Sequence, residues 1–431
     1  MRTTRIASVF AWEALDSRGT PTVACEVRLT GGARGAATVP SGASTGAHEA
    51  HELRDGDGRY GGRGVRRAVA SVNETLGPGV TGIDAADQVA LDAALCGLDG
   101  TASLGRLGAN AVLAVSIAAA MATAEAEGVP LWRLLAGDAE PLLPLPMVNV
   151  ISGGAHARGA GVDVQDFLVV PAGASSFAEA IEWAWRVRRA TEELAAERGF
   201  PASLVADEGG LGLPLPSNRA GLELLAAGIE RAGLAPGEEA AIAIDVAATQ
   251  LAVEGGYRLA AEGRTLDAGE LLDELDSWCS AHPVVSVEDP LGEDDWAGWA
   301  EATRRLGGRL QLLGDDLFVT DVVRLERGIA EDVANAVLVK PNQCGTLSGA
   351  LQAVETARAA GYAAVVSARS GDTEDAWLAD LAVGWRAGQI KVGSTTRSER
   401  TAKWNRLLHI EAEAGSTSRF AGRRALAGSK I

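Results

Sequence analysis

The chain has 431 residues, 47% hydrophobic and 22% charged, a globular composition long enough for two domains, one of them a large barrel. Its formal charge of -18 repels nucleic acid and anionic membrane alike, which leaves small molecules as ligands and demands local countercharge for anionic ones. Four cysteines without paired spacing indicate neither a disulfide framework nor a zinc knuckle; with no apolar leader-like core at the start and no run of about 18 apolar residues, the chain reads as cytoplasmic.

In chain order, TVACEVRL and GAATVP read as strands, and helical runs follow around Leu107 to Glu127. Together they predict an N-terminal α+β domain over 1–138. The segment GDAEPLLPLP, with Pro141, Pro144 and Pro146, breaks helical periodicity and marks a linker. A second domain is therefore placed over 139–431. From Met147 onward short apolar runs alternate with amphipathic stretches such as AGLELLAAGIERAGL and LSGALQAVETARAAG, the pattern of βα units around a parallel sheet. The ends of those runs are informative. AIAID stops at Asp245, VVSVE at Glu288, LQLLGD at Asp315, NAVLVK at Lys340, and AAVVS at Ser367, just before Arg369. From Glu288 onward the intervals are nearly equal, while the longer one from Asp245 to Glu288 predicts an insertion or hairpin. In a parallel barrel all of these residues emerge at the C-terminal mouth, where barrel active sites are built. An open doubly wound sheet is the rival, and the lack of a G-x-G-x-x-G fingerprint after a first strand disfavours it.

Three carboxylates converging at one mouth repel one another, so they either take up protons or hold a cation. Singly, each reads as a helix cap or an arginine partner; on successive strands, with a rare lysine on the fourth, they favour a cation. Oxygen ligands favour magnesium, with calcium or manganese also possible, over zinc or copper. The basic residues add a second signal. Only Lys340, Lys391, Lys403 and Lys430 are lysines among the 39 Lys and Arg residues. Arginine stays protonated, whereas a lysine can lose its proton, so chemistry that needs a neutral amine cannot accept the exchange. Cations and Lys391 near Lys340 are expected to lower its proton affinity and let it act as a base on the carbon next to a metal-held carboxylate.

The segments LDSRGTPTV, VPSGASTGAHEA, LGANAVLAVS, ADEGG, VSVEDPLGEDDW, GDDLFVT, LVKPNQCGTL and SARSGDTEDAWLADLAVG occur in the order found in the enolase (phosphopyruvate hydratase) family, which the chain resembles over nearly its whole length. The resemblance implies an α+β lid domain before an enolase-type (β/α)8 barrel, two magnesium ions per site and a homodimer or higher assembly. It implies Asp245, Glu288 and Asp315 as ligands of one magnesium and Ser44 of the lid loop as a ligand of the second. It further implies Lys340 as general base, Glu208, assisted by Asp166, as the group that helps the β-hydroxyl leave, and His156 as a site residue in the loop after the first barrel strand. Lys391 would grip the substrate carboxylate, and Arg369 and Ser370 the phosphate. The expected ligand is a small phosphorylated or phosphonylated carboxylic acid.

Departures from the family pattern gather around the substrate. Ala368 stands where the family has histidine, Asp166 where it has glutamate, and Ser152 where it has asparagine; Thr20, Arg158, Ala206 and Leu211 to Leu213 also differ. Metal ligands and base are kept while leaving-group contacts change, as expected when an enzyme changes substrate. The sequence is thus similar to a specialised paralogue such as the carboxyphosphonoenolpyruvate synthases of phosphinate natural-product pathways. Ordinary phosphopyruvate hydratase and a non-catalytic binding protein are the alternatives.

Overall fold

The computed structural model describes residues 3–43, 45–157 and 159–428. Ser44, Arg158 and Lys430 lie outside the described residues. The N-terminal part is a three-stranded antiparallel sheet, β1 (Ile6–Leu15), β2 (Pro21–Leu29) and β3 (Arg34–Thr38), with helix α1 (Gln88–Asp99) packed on helix α2 (Ala109–Glu127), which covers β2 and β3. The two stretches read as strands become β2 and β3, and the helical run becomes α2. Helix α2 is long and apolar enough, by length and composition, to cross a membrane, although no uninterrupted apolar run of about 18 residues occurs in it. It is buried along most of its length, and its alanine-rich surface lets β2 and β3 approach closely. Gly35 on β3 marks the tightest point: a Cβ there would run into the backbone of Ala118 and Ala122. Backbone cannot yield as a side chain can, so Gly35→Ala is expected to cost about 1–3 kcal/mol, read as a drop in the urea midpoint.

Eight strands then close a barrel: β4 (Leu145–Ser152), β5 (Asp166–Val170), β6 (Ala241–Asp245), β7 (Val284–Glu288), β8 (Gln311–Gly314), β9 (Ala336–Val339), β10 (Ala363–Ser367) and β11 (Gly388–Gly393). β4, β5 and β6 pair antiparallel in sequence, the remaining neighbours are parallel, and β11 pairs with β4 to close the ring. Helices α3 (Phe177–Glu197) and α4 (Asn218–Arg231) follow the hairpin, and α5 (Ala268–Ala281), α6 (Trp296–Leu306), α7 (Val322–Ala330), α8 (Leu347–Ala359), α9 (Trp377–Gly384) and α10 (Ser398–Ala414) complete the outer ring. The order is ββαα(βα)6. The long interval before Glu288 is explained by an inserted three-stranded sheet, Ala252–Val253, Gly256–Leu259 and Arg264–Leu266.

Strand parity decides which side chains reach the centre, because successive residues of a strand point to opposite faces. Leu145, Met147, Leu168, Val170, Ala243, Leu313, Ala336, Leu338 and Val365 form one buried cluster inside the barrel, while the intervening strand residues join the larger core under the helices. Two residues beyond an inward position is again inward. On that count Asp245 follows Ala243, Asp315 follows Leu313 and Lys340 follows Leu338, so the barrel's own packing aims them into its mouth.

Candidate active site

Lys391, on β11, is the hub of the mouth. Its Nζ donates to Asp245 Oδ2 at 2.7 Å and to both Glu288 oxygens at 2.8 Å. Gln165 Nε2 donates to the same Asp245 oxygen at 3.1 Å. Lys340 Nζ is ion-paired with Asp315 Oδ2, and Gln343 Nε2 holds the other Asp315 oxygen at 2.8 Å. The four residues predicted from strand ends and lysine scarcity are thus brought together, with Lys391 as the fifth member.

Burial dominates the electrostatics. It raises the Glu288 carboxyl well above its ordinary value, reinforced by Asp245 and only partly opposed by Lys391. For Asp245 and Asp315 burial is outweighed by Lys391 and Lys340 respectively, and both are held low. Lys340 departs from expectation. Burial pushes its amine down and Arg369 and Lys391 help, yet contact with Asp315 and the field of Glu288 prevail and hold it above its ordinary value. The sequence reading weighed the neighbouring cations, whereas side-chain placement adds a carboxylate in direct contact. Three carboxylates face two ammonium groups in one buried space, a hard-oxygen set with negative charge in excess, and that fits a divalent cation such as magnesium.

A second buried group lies within reach of the same charges. His156 Nδ1 is 3.0 Å from Asp166 Oδ2, and its Nε2 is 3.9 Å from Glu208 Oε1. The other Asp166 oxygen accepts from Ser152 Oγ at 3.0 Å and from Asn149 Nδ2. Burial pushes the His156 imidazolium down, but Asp166 and Glu208 together outweigh it and carry it up to about 9. Both carboxylates thus favour the charged form of the His156 ring. Two of the departures from the family pattern, Ser152 and Asp166, belong to one contact set, in which the serine secures the shortened carboxylate that faces the histidine. Asp166→Asn is expected to lower the titration point of the His156 ring, read from the imidazole proton shifts against pH, while the wild-type ring titrates near 9.

The lid loop lies over this mouth. Ser41 and Gly371 exchange backbone hydrogen bonds at 2.7 and 2.9 Å. Ala43 N–H donates to Ser370 Oγ at 2.6 Å, and Ala47 N–H to Glu293 Oε2 at 2.8 Å. Arg369 meets Glu49 of the lid with both terminal nitrogens, at 2.9 and 3.2 Å. Arg400, buried on α10, donates to the carbonyls of Arg369, Ser370 and Val392 at 2.6 to 3.0 Å and so fixes the Arg369–Ser370 turn. Ala368 is buried, its N–H donating to the Lys391 carbonyl at 2.9 Å.

Several contributors were missed from sequence. Asp289 accepts from the N–H groups of Asp315 and Asp316 at 3.0 and 2.8 Å, with its own backbone at φ 41°, and thereby aims Asp315. Asp289, Asp315 and Asp316 form one buried acidic group with ligand spacing, and His156, Asp166 and Glu208 form another. The doublet in GDD and the VEDP turn carried this signal, but spacing along the chain cannot show that a turn folds back onto the next strand end. Glu49, Gln165 and Asn149 were missed for the same reason.

A closed eight-stranded barrel with buried carboxylates and lysines at its C-terminal mouth, beneath a lid from a preceding α+β domain, defines an enzyme of the enolase superfamily. Comparison with family models agrees over both parts: residues 6–135 match the model described as enolase, N-terminal domain, and residues 140–428 match enolase, C-terminal TIM barrel domain. The chain belongs to the enolase family.

Proposed function

We propose that this chain is a magnesium-dependent enzyme acting on a 2-phosphoglycerate- or phosphoenolpyruvate-like acid, specialised in the manner of a carboxyphosphonoenolpyruvate synthase. The observation that carries the specialised reading is the His156–Asp166–Ser152 contact set: Ser152 and Asp166, which hold the histidine that faces Glu208, differ from the family pattern while Lys340, Lys391 and the acidic cage are kept. Asp245, Glu288 and Asp315, with Ser44 from the lid, would hold magnesium, whose charge offsets the second negative charge that develops on the substrate carboxylate.

Lys391 would grip that carboxylate from the β11 side, and Arg369 with Ser370 the phosphoryl or phosphonyl group, a guanidinium being suited to a bidentate grip. Lys340 takes the α-proton onto Nζ in its amine form, and the electron pair moves into the carboxylate. Its ion pair with Asp315 stabilises the ammonium, so catalysis requires Asp315 to be engaged elsewhere. The His156 ring, whose charged form Asp166 and the Glu208 carboxylate favour, would deliver a proton to a departing oxygen, with Glu208 holding it from the other side. The closed lid excludes water meanwhile. Phosphorus NMR with magnesium and 2-phosphoglycerate, with and without an activated phosphonoformate, tests the reading: little dehydration alone and a new phosphonate ester resonance with the donor are expected. Fast dehydration without the donor refutes the specialised reading in favour of ordinary phosphopyruvate hydratase, which the retained Lys340, Glu208 and Lys391 favour as the second reading.

A further inference from the structure

One lid carboxylate, Glu49, meets the side chain assigned to the phosphoryl group. Its Oε2 accepts from Arg369 Nη1 at 2.9 Å and its Oε1 from Arg369 Nη2 at 3.2 Å. The two side chains are 8% and 3% exposed, so solvent screens the pair little. The Glu49 carboxylate is itself held in place. Its Oε1 also accepts from the Gly46 N–H at 3.1 Å and from Gln343 Nε2 at 3.3 Å, and the Ala50 N–H donates to the Gln343 carbonyl at 2.8 Å. The orientation of the Gln343 amide follows from donor chemistry. Ionised carboxylates only accept, so Nε2 faces Glu49 and Asp315, while Oε1 accepts from Thr320 Oγ1 at 2.7 Å. Thr320 Oγ1 in turn accepts from the Lys340 N–H at 2.9 Å. Glu49 is therefore braced against the same framework that holds the base and a cage carboxylate.

Ser370, the other half of the phosphoryl arm, is already set. Its Oγ accepts from the Ala43 N–H at 2.6 Å and from Arg18 Nη1 at 3.3 Å, which fills both acceptor positions and leaves its O–H to donate. Arg369 differs in having a long, rotatable stem, and an anion that meets both residues needs the guanidinium plane aligned with the serine. A guanidinium carries five N–H groups, so a carboxylate that accepts one from each terminal nitrogen fixes that plane without exhausting the donors.

We propose that Glu49 is a positioning residue for the phosphoryl arm: its two-pronged contact sets the plane of the Arg369 guanidinium for the phosphoryl or phosphonyl group of the substrate. The proposal rests on the assignment of Arg369 to that group, made above. Charge alone predicts the opposite sign, because removing a carboxylate from beside an anion site tightens the anion. Phosphonoacetate, which carries a carboxylate and a phosphonyl group, serves as the probe, titrated calorimetrically into the magnesium-loaded protein. Glu49→Gln keeps the length and removes the charge; Glu49→Asp keeps the charge and shortens the reach. Each is expected to weaken phosphonoacetate about tenfold. In an Arg369→Ala background neither is expected to weaken it further, whereas a merely structural role in the lid would weaken it in both backgrounds. Unchanged or tighter binding in either variant, or equal weakening with and without Arg369, overturns the positioning role. An Arg369→Ala protein that binds phosphonoacetate as tightly as wild type overturns the phosphoryl assignment and the proposal with it; a loss of affinity there, with none in the Glu49 variants, overturns the proposal alone.

Discussion

Lys340→Ala is expected to lower turnover of the phosphorylated acid by about 10²–10⁴-fold, the range lost when a positioned general base is removed, and to stop exchange of the α-proton with deuterium from solvent. The geometry gives the reason. Lys340 enters from the end of β9 on the inward parity, half-buried, with Asp315 on one side and the Glu288–Lys391 pair beyond it. The described residues around Asp315 include no second lysine that could take over, because Lys391 is already divided between Asp245 and Glu288. Exchange at the α-carbon, followed by proton NMR in deuterium oxide, reports the proton step apart from whatever group later departs or joins. Retention of exchange in Lys340→Ala at the wild-type rate would move the base to another residue and dismantle the mechanism.

This prediction was legible in the sequence to an unusual degree, and parity explains why. In a parallel barrel each strand is buried on both faces, so its apolar run is continuous and its end is marked by the first charged residue. Asp245, Glu288, Asp315 and Lys340 each occupy such an end, which is why the runs AIAID, VVSVE, LQLLG and AVLV could be bounded to within a residue. The scarcity of lysine then separated the chemical cations from the merely positive ones. Lys403 shows the limit of that signal: it is buried, but its Nζ is bound to Asp372 Oδ1 at 2.6 Å and to the Glu399 carbonyl at 2.8 Å, neither of them a cage group. Scarcity picks out buried lysines, and only the fold tells a structural one from a chemical one.

The illegible part lay in contacts between segments far apart in sequence. That Glu49 of the lid meets Arg369, or that Asp289 aims Asp315, depends on how loops fold over the mouth, and no local periodicity encodes it. The state of charge was equally hidden. Proximity of positive groups argued for a depressed Lys340, yet one contact with Asp315 reverses the direction, because a carboxylate in contact outweighs cations further off.

The same accounting makes Lys391→Met the substitution with the largest expected effect on stability. It removes the single ammonium that lies between Asp245 and Glu288, both buried, while leaving a side chain of similar length. Breaking a buried pair in this way costs about 3–5 kcal/mol, since the remaining charges stay desolvated without a partner. The sign of the pH dependence follows from Glu288. Its carboxyl is already raised well above its ordinary value in the folded protein, and losing Lys391 raises it further. A carboxyl that binds its proton more tightly folded than unfolded contributes stability at low pH and loses it as pH rises through the folded-state value. The deficit of Lys391→Met relative to wild type is therefore expected to be larger at pH 8 than at pH 6 in urea unfolding with chelator present. Magnesium held by the cage as proposed would supply positive charge and stabilise only the folded chain, so at pH 8 it is expected to recover part of the deficit as its concentration rises. A deficit that neither pH nor magnesium moves would mean that packing around the Lys391 stem, and not its charge between the two carboxylates, holds the mouth of the barrel together.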